Sequence, residues 1–315
     1  MTQTKTIQSV NPITATVRAG ERSHSLWWRL RHSSPLALCF AAAVIIFYTT
    51  IFIIPFGTAI WLSFHNWDFL TSPVYVGLRN FSKAVSDQYF WDALRTTLLF
   101  SAVEITLGVG IALLLALAYS QIRGKPQGFF LALYYLPVIT PTVAYVYLWR
   151  FLYRPTGGTF NAMLSTFGLP EQPFLTSPEQ ALWCITAMVL WANIGGAAVI
   201  LLAGMLDVPE SLYEAARLDG AGFWRLFLQI TMPLIRPVLV YQVVVSVIGT
   251  VQMFEPFFLM AGPGFSTRTL SLYTYQLGFQ TLNLGYGAAV SLIIFVLLLF
   301  ATVFQLQRWQ VSWEH

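Results

Sequence analysis

Six long apolar segments alternate with polar segments along the chain. An α-helix rises 1.5 Å per residue, so about 20 apolar residues are enough to cross the hydrocarbon core of a bilayer. A helix also pairs its own backbone polar groups, which lipid cannot do. The pattern predicts an all-α polytopic membrane protein with six transmembrane helices, at about residues 35–64, 93–119, 128–153, 181–206, 238–260 and 286–306.

Prolines interrupt the first and the third of these apolar segments. Pro55 lies within the first, and Pro137 and Pro141 lie one helical turn apart within the third. Proline has no backbone N–H and its ring clashes with the preceding turn, so it kinks or breaks a helix. We therefore expect a kink or a locally opened backbone in the third segment.

Residues 207–237 form a charged island between the fourth and fifth apolar segments. Pro209 suits the first position of a helix, where its missing N–H is not needed. Gly220 can adopt the left-handed conformation that closes a helix, and Pro233 and Pro237 are expected to end a second one. The pattern predicts two short helices on either side of Gly220.

The pattern of this island is compatible with three arrangements. The first is an amphipathic pair on the membrane surface, and the second is a re-entrant segment buried in protein. The third is docking into a partner's groove, since the small side chains of Ala215 and Ala216 allow a close approach.

Composition and charge give the class of protein and its orientation. The sequence is 57% hydrophobic and only 10% charged, which excludes an ordinary soluble domain. Of its 17 Lys and Arg residues, eleven fall in the tail 1–34, the turn 120–127, the island 207–237 and the C-terminal segment 307–315. The six others lie on the opposite side of the membrane, so both termini and the island are predicted to be cytoplasmic. We expect the tail to be flexible.

Motifs for chemistry within this chain are missing from the sequence. There is no G-x-x-x-x-G-K-[ST] loop to hold ATP phosphates, and no H-E-x-x-H or G-x-S-x-G motif. Cys39 and Cys184 have no metal-site spacing, and no Lys/Arg run suggests nucleic-acid binding. We therefore expect no enzyme activity, metal or other cofactor in this chain.

The charged island carries a family signature. Its residues resemble the EAA loop of inner-membrane permeases in ATP-binding-cassette (ABC) importers. Met232 stands where that family usually has leucine, and Gly222 where serine is frequent, but neither change alters the shape class. The matching residues are Glu214, Ala215, Ala216, Asp219, Gly220, Ala221, Ile230, Pro233 and Pro237.

The resemblance implies a role for this loop. Residues 207–237 would form a cytoplasmic coupling-helix loop between transmembrane helices 4 and 5 of the permease domain 35–306, lying in a groove of the ATPase subunit. Gly220 would act as its hinge. The residues so assigned to ATPase coupling are Leu212, Glu214, Ala215, Ala216, Asp219 and Gly220.

Further segments resemble the carbohydrate permeases of this family, the maltose, lactose and glycerol-3-phosphate type. They are residues 76–81, 153–161 and 285–289. This resemblance implies a bacterial inner-membrane permease that carries a sugar. Its expected partners are a second permease, two ATPase subunits that bind ATP and Mg, and an extracytoplasmic sugar-binding protein.

Polar and aromatic residues within the apolar segments are candidates for the substrate pathway. Glu104 and Glu255 are carboxylates at membrane depth, where function is the default hypothesis, although Glu104 may instead brace helix packing. Gln252 is three residues from Glu255, so the two are expected to share a helix face. The other candidates are Asn193, a hydrogen-bonding side chain, and Tyr145 and Trp191, which could stack on a sugar ring.

Other function classes stay open at this stage. In an ion-driven secondary transporter, Glu104 and Glu255 would be proton or sodium sites. A membrane scaffold would have no associated ATPase. An ABC importer of the same architecture could also carry a polyol or a glycerol phosphate.

Overall fold

The computed structural model describes residues 35–122 and 125–309, so the tail 1–34 and the last six residues lie outside the described part. The chain divides into two compact units, residues 1–56 and residues 57–315. In chain order the α-helices are α1 Pro35–Tyr48, α2 Ile54–Ser63, α3 Arg79–Ser86, α4 Gln88–Ser120, α5 Lys125–Ile139, α6 Thr142–Leu152, α7 Thr159–Thr166, α8 Ala181–Leu206, α9 Glu210–Leu218, α10 Phe223–Leu226, α11 Met232–Leu234, α12 Arg236–Gln252, α13 Glu255–Leu259, α14 Leu270–Tyr275 and α15 Leu284–Trp309. The strands are β1 His65–Asn66 and β2 Val74–Tyr75, which pair antiparallel.

Within the described residues, five helices are long and apolar enough to cross a membrane, and a bent pair makes up to six. They are Leu38–Ser63, Gln88–Ser120, Ala181–Leu206, Arg236–Leu259 and Leu284–Arg308, with the pair Gly128–Ile139 and Thr142–Leu152. The chain is therefore nearly all-helical, as the hydrophobic pattern predicts.

Proline chemistry explains the interruption in the first apolar segment. A π-helical turn, Thr49–Ile53, separates α1 from α2, immediately before Pro55. Because Pro55 has no N–H to donate to the preceding turn, the backbone there adopts the wider hydrogen-bonding pattern.

The third apolar segment bends much more than a kinked helix. α5 and α6 meet at 94° across Thr140 and Pro141. Pro141 has φ −55° and ψ 135°, outside the helical region. Two effects combine here, since Pro141 cannot donate a hydrogen bond and a residue before proline disfavours the helical conformation.

The prolines of the charged island do not end the helical run, contrary to the sequence prediction. Pro233 lies in the first turn of α11, which follows a π-helical turn, Phe227–Thr231. Pro237 lies in the first turn of α12. Each proline starts a helical piece at a position where its missing N–H is not needed.

Small residues let α4 and α8 pack along most of their length. Ala112 and Ala116 of α4 and Ala198 of α8 are fully or almost fully buried in one apolar cluster with Leu201. Small side chains permit close backbone approach, which drives helix association in lipid. A second cluster joins Phe100 of α4 edge-on to Phe257 of α13, with ring centroids 4.8 Å apart.

Candidate functional site

An open cavity of about 340 Å³ lies among α4, α5, α8 and α12. Its walls are mostly apolar and glycine, with a few polar side chains. The polar lining residues are Glu104, Asn193, Gln242, Ser246 and Thr250. A concave apolar surface with a few convergent polar groups is typical of a small-molecule site.

Two of the predicted pathway residues meet in this cavity. Asn193 Nδ2–H of α8 donates a hydrogen bond of 3.2 Å to Glu104 Oε1 of α4. Glu104 is only 5% exposed, whereas Asn193 is exposed. The pair ties the two helices together and leaves other atoms of both groups at the cavity wall, so bracing and substrate contact are compatible roles for Glu104.

Sequence reasoning missed the polar stripe of α12. Gln242, Ser246 and Thr250 are spaced by four residues, so they share one face of the helix. Gln242 Nε2–H donates to Ser246 Oγ at 3.3 Å, and Thr250 Oγ1–H donates to the Ser246 carbonyl at 2.9 Å. Three polar residues at this spacing in an otherwise apolar segment are the sequence signal that could have revealed the stripe.

Gln252 and Glu255 do not share a helix face, so that prediction is wrong. α12 ends at Gln252, and α13 begins at Glu255 after two residues outside the helical conformation. Pro256, in the first turn of α13, cannot donate to the preceding turn, so the helix must restart. Both candidate residues are exposed and neither lines the cavity.

Tyr145 and Trp191 come together, but away from the cavity. Their ring centroids are 6.2 Å apart in an edge-to-face arrangement, and Trp149 lies 5.7 Å from Trp191. None of the three lines the cavity, and Tyr145 and Trp149 pack against the core cluster that contains Phe100. The structure thus places Tyr145 and Trp149 in a packing cluster, with Trp191, which is 42% exposed, at its edge.

The loop 207–237 presents a short helix, α9, with two different faces. Tyr213 faces the rest of the loop, and its hydroxyl lies 3.0 Å from Thr231 Oγ1. Glu214, Ala215 and Leu218 are exposed on the opposite face, and Leu218 is 90% exposed. Ala216 is half-buried on the Tyr213 side, so it does not belong to the exposed stripe.

Gly220 follows α9 in the left-handed conformation, with φ +80°. Its N–H donates to the carbonyl oxygen of Arg217, and the N–H of Ala221 donates to the carbonyl oxygen of Ala216. These bonds satisfy carbonyls at the helix end, as in a glycine C-terminal cap. The geometry gives Leu218 and Asp219 a fixed direction at the tip of the loop. Leu212, 43% exposed, lies at the edge of the exposed face.

A tyrosine-rich cluster surrounds Asp87, the residue immediately before the candidate span Gln88–Ser120. Asp87 caps α4 by accepting from Tyr89 N–H, and it also accepts from the hydroxyls of Tyr273 and Tyr286. Burial raises the pKa of Asp87, but these hydrogen bonds and the charge of Lys83 outweigh it and hold the pKa below its ordinary value. The cluster links α4, α14 and α15.

We expect Asp87→Asn to destabilise the protein by about 2 kcal/mol at pH 7, because hydrogen bonds to a charged acceptor are lost. The midpoint of thermal unfolding in detergent measures the change. Because the pKa of Asp87 is lower in the folded state than in the unfolded state, its ionised form stabilises the fold at pH values above the unfolded-state pKa. This stabilisation is lost as the pH falls through the folded-state pKa. The difference between variant and wild type should therefore shrink in strong acid. The exposed Asp92→Asn is the control; an equal effect there would contradict the role of Asp87.

Within the described residues, no group of three or more His, Cys, Asp or Glu side chains is placed to hold a metal ion. The polar groups of the cavity are amides, hydroxyls and a single carboxylate. Such a set suits hydrogen bonding to a polar ligand.

Comparison with known proteins identifies close relatives. The trehalose/maltose transport system permease protein MalF of Thermococcus litoralis is 32% identical over 261 residues, covering 81% of this chain and 87% of the relative. The sn-glycerol-3-phosphate transport system permease protein UgpA of Agrobacterium fabrum is 35% identical over 238 residues, covering 73% and 79%.

A solved structure has the same fold. It is a bacterial alginate ABC transporter in complex with an alginate pentasaccharide-bound periplasmic protein, matched with a TM-score of 0.79 at 25% identity, over 90% of this chain and 96% of that one. Residues 108–313 also match the family described as binding-protein-dependent transport system inner membrane component. The match covers the cavity-lining parts of α8 and α12, the charged island and α15. The chain belongs to this family, the membrane permeases of ABC transporters.

Proposed function

We propose that this chain is one of two permease subunits of a bacterial inner-membrane importer, forming with a second permease the pathway for a di- or oligosaccharide. The observation that carries the proposal is the cavity among α4, α5, α8 and α12, whose few amide and hydroxyl groups suit a polyhydroxylated ligand. The relative named for trehalose/maltose supports the cargo class.

In this proposal α9 is the coupling helix. Its exposed stripe, Glu214, Ala215 and Leu218 with Leu212 at the edge, lies in a groove of an ATPase subunit. Gly220 is the hinge between this helix and the rest of the loop, and Asp219 beside it belongs to the ATPase-coupling residues. ATP and Mg are bound by two partner ATPase subunits, because the sequence has no phosphate loop.

The proposed topology has six spans, with α5 and α6 together forming the third. The Lys and Arg distribution puts both termini and α9 in the cytoplasm. A sugar-binding protein then delivers cargo to the opposite face. ATP-driven closure of the ATPase dimer shifts the spans between two arrangements because it favours one of them.

The test uses the complete transporter in proteoliposomes, with the second permease, the ATPases and the binding protein. Maltose, trehalose, lactose, glycerol 3-phosphate and dimannuronate are offered in turn, and cargo-stimulated ATP hydrolysis and ATP-dependent uptake are measured. We expect at least one to stimulate both. Uptake that persists without ATP and stops when the ion gradient is collapsed would instead show an ion-driven transporter.

A further inference from the structure

We propose that Gln242 is a specificity-determining residue that accepts a hydrogen bond from a cargo hydroxyl, and that the cavity wall selects a neutral cargo over an anionic one. This inference rests on the proposed importer function and specifies its substrate class. It has two independent bases, the unpartnered carboxamide oxygen of Gln242 and the charge of the cavity wall.

The side chain of Gln242 makes one hydrogen bond through its amide nitrogen and none through its carboxamide oxygen. It is 7% exposed, and its Nε2–H donates to Ser246 Oγ at 3.3 Å. Its Oε1 is buried and has no hydrogen-bond partner among the described residues. Because Oε1 has almost no accessible surface, the carboxamide must turn toward the cavity before a ligand O–H can pair with it, and that pairing recovers the free energy lost by burying an unpaired carbonyl oxygen.

The neighbouring side chain adds a second contact. Ser246 Oγ accepts from Gln242, which leaves its hydroxyl hydrogen available to a ligand oxygen. The α12 stripe thus presents an acceptor and a donor one helical turn apart. A sugar, whose hydroxyls both donate and accept, matches that pair.

The charge of the wall excludes the anionic members of the cargo class. Glu104 is the one ionisable residue among those that line the cavity in the described part of the chain. In the described part of the chain no Lys or Arg lines it, and one of the two N–H groups of the Asn193 amide already donates to Glu104. A carboxylate, phosphate or sulfonate entering here would lose water without gaining a counter-charge from this chain, which is strongly unfavourable.

The first measurement is the identity of the cargo found in the proteoliposome panel. We expect maltose, trehalose or lactose to be imported. If glycerol 3-phosphate or dimannuronate is imported at the highest rate, the charge argument is overturned while the importer function stands. If none of the five is imported with ATP, the proposed function itself fails.

The second measurement compares two Gln→Leu variants of similar chemistry. Gln242→Leu should raise the concentration of the imported sugar needed for half-maximal uptake about tenfold, since one hydrogen bond is lost. Gln305 of α15 also has a buried, unpaired Oε1 but does not line the cavity. Gln305→Leu should change that concentration little. Equal effects of the two variants, or none from Gln242→Leu in a complex that assembles normally, would overturn the assignment of Gln242.

Discussion

Replacing Leu218 with aspartate is expected to separate this permease from its ATPase subunits. Leu218 is 90% exposed at the tip of α9, next to charged Arg217 and Asp219, so it lies in water or in a partner's groove rather than in lipid. Burying a leucine contributes about 1.5–3 kcal/mol, and a carboxylate in the same groove must be desolvated as well. The affinity for the ATPase should fall about 100-fold or more.

Co-purification of the ATPase subunits and ATP-dependent uptake measure the effect. Leu218→Met is the matched control, because it conserves volume and apolar character and is expected to keep both readouts near wild type. If Leu218→Asp retains the ATPase and imports cargo normally, α9 does not couple through this face. Loss of the permease itself from the membrane would be visible as reduced protein, and uptake is therefore normalised to the amount of assembled permease.

The loop 207–237 shows what sequence reasoning predicts well. A glycine directly after a helical pattern predicts a left-handed closing residue, and Gly220 has φ +80°. The pattern did not single out Leu218. It is apolar, so it resembles a core position, and only the orientation of α9 in the folded chain reveals its exposure.

The transmembrane site was less predictable, because distant helices meet there. Glu104 and Asn193 are 89 residues apart, and their hydrogen bond depends on how α4 packs on α8. Gln252 and Glu255 were placed on one face by assuming a continuous helix, whereas the backbone breaks before Pro256. The 94° bend between α5 and α6 exceeds the expected kink, since two adjacent residues resist the helical conformation there.

The second large effect is expected at Gly195, in the middle of α8. A Cβ added at Gly195 would lie 1.9 Å from the Tyr134 carbonyl oxygen and 2.7 Å from its carbon. These are backbone atoms of α5, so no side-chain rotation relieves the clash and the helix itself must move. Gly195→Ala should therefore lower the free energy of unfolding by about 3 kcal/mol or more, the upper end of the usual cost of overpacking. The yield of folded permease should fall with it. Since Asn193 lies two residues away, a displaced α5 also changes the cavity wall.

Gly196 supplies the control for this prediction, because it is the neighbouring residue of the same helix. A Cβ there would lie 3.6 Å from the nearest atom, Val138 Cγ2, an ordinary van der Waals distance. Thermal unfolding and size-exclusion profiles in detergent should thus separate the two alanine variants, with Gly196→Ala close to wild type and Gly195→Ala strongly destabilised. Similar unfolding midpoints for both would mean that α5 does not approach α8 as closely as the backbone contact at Tyr134 requires.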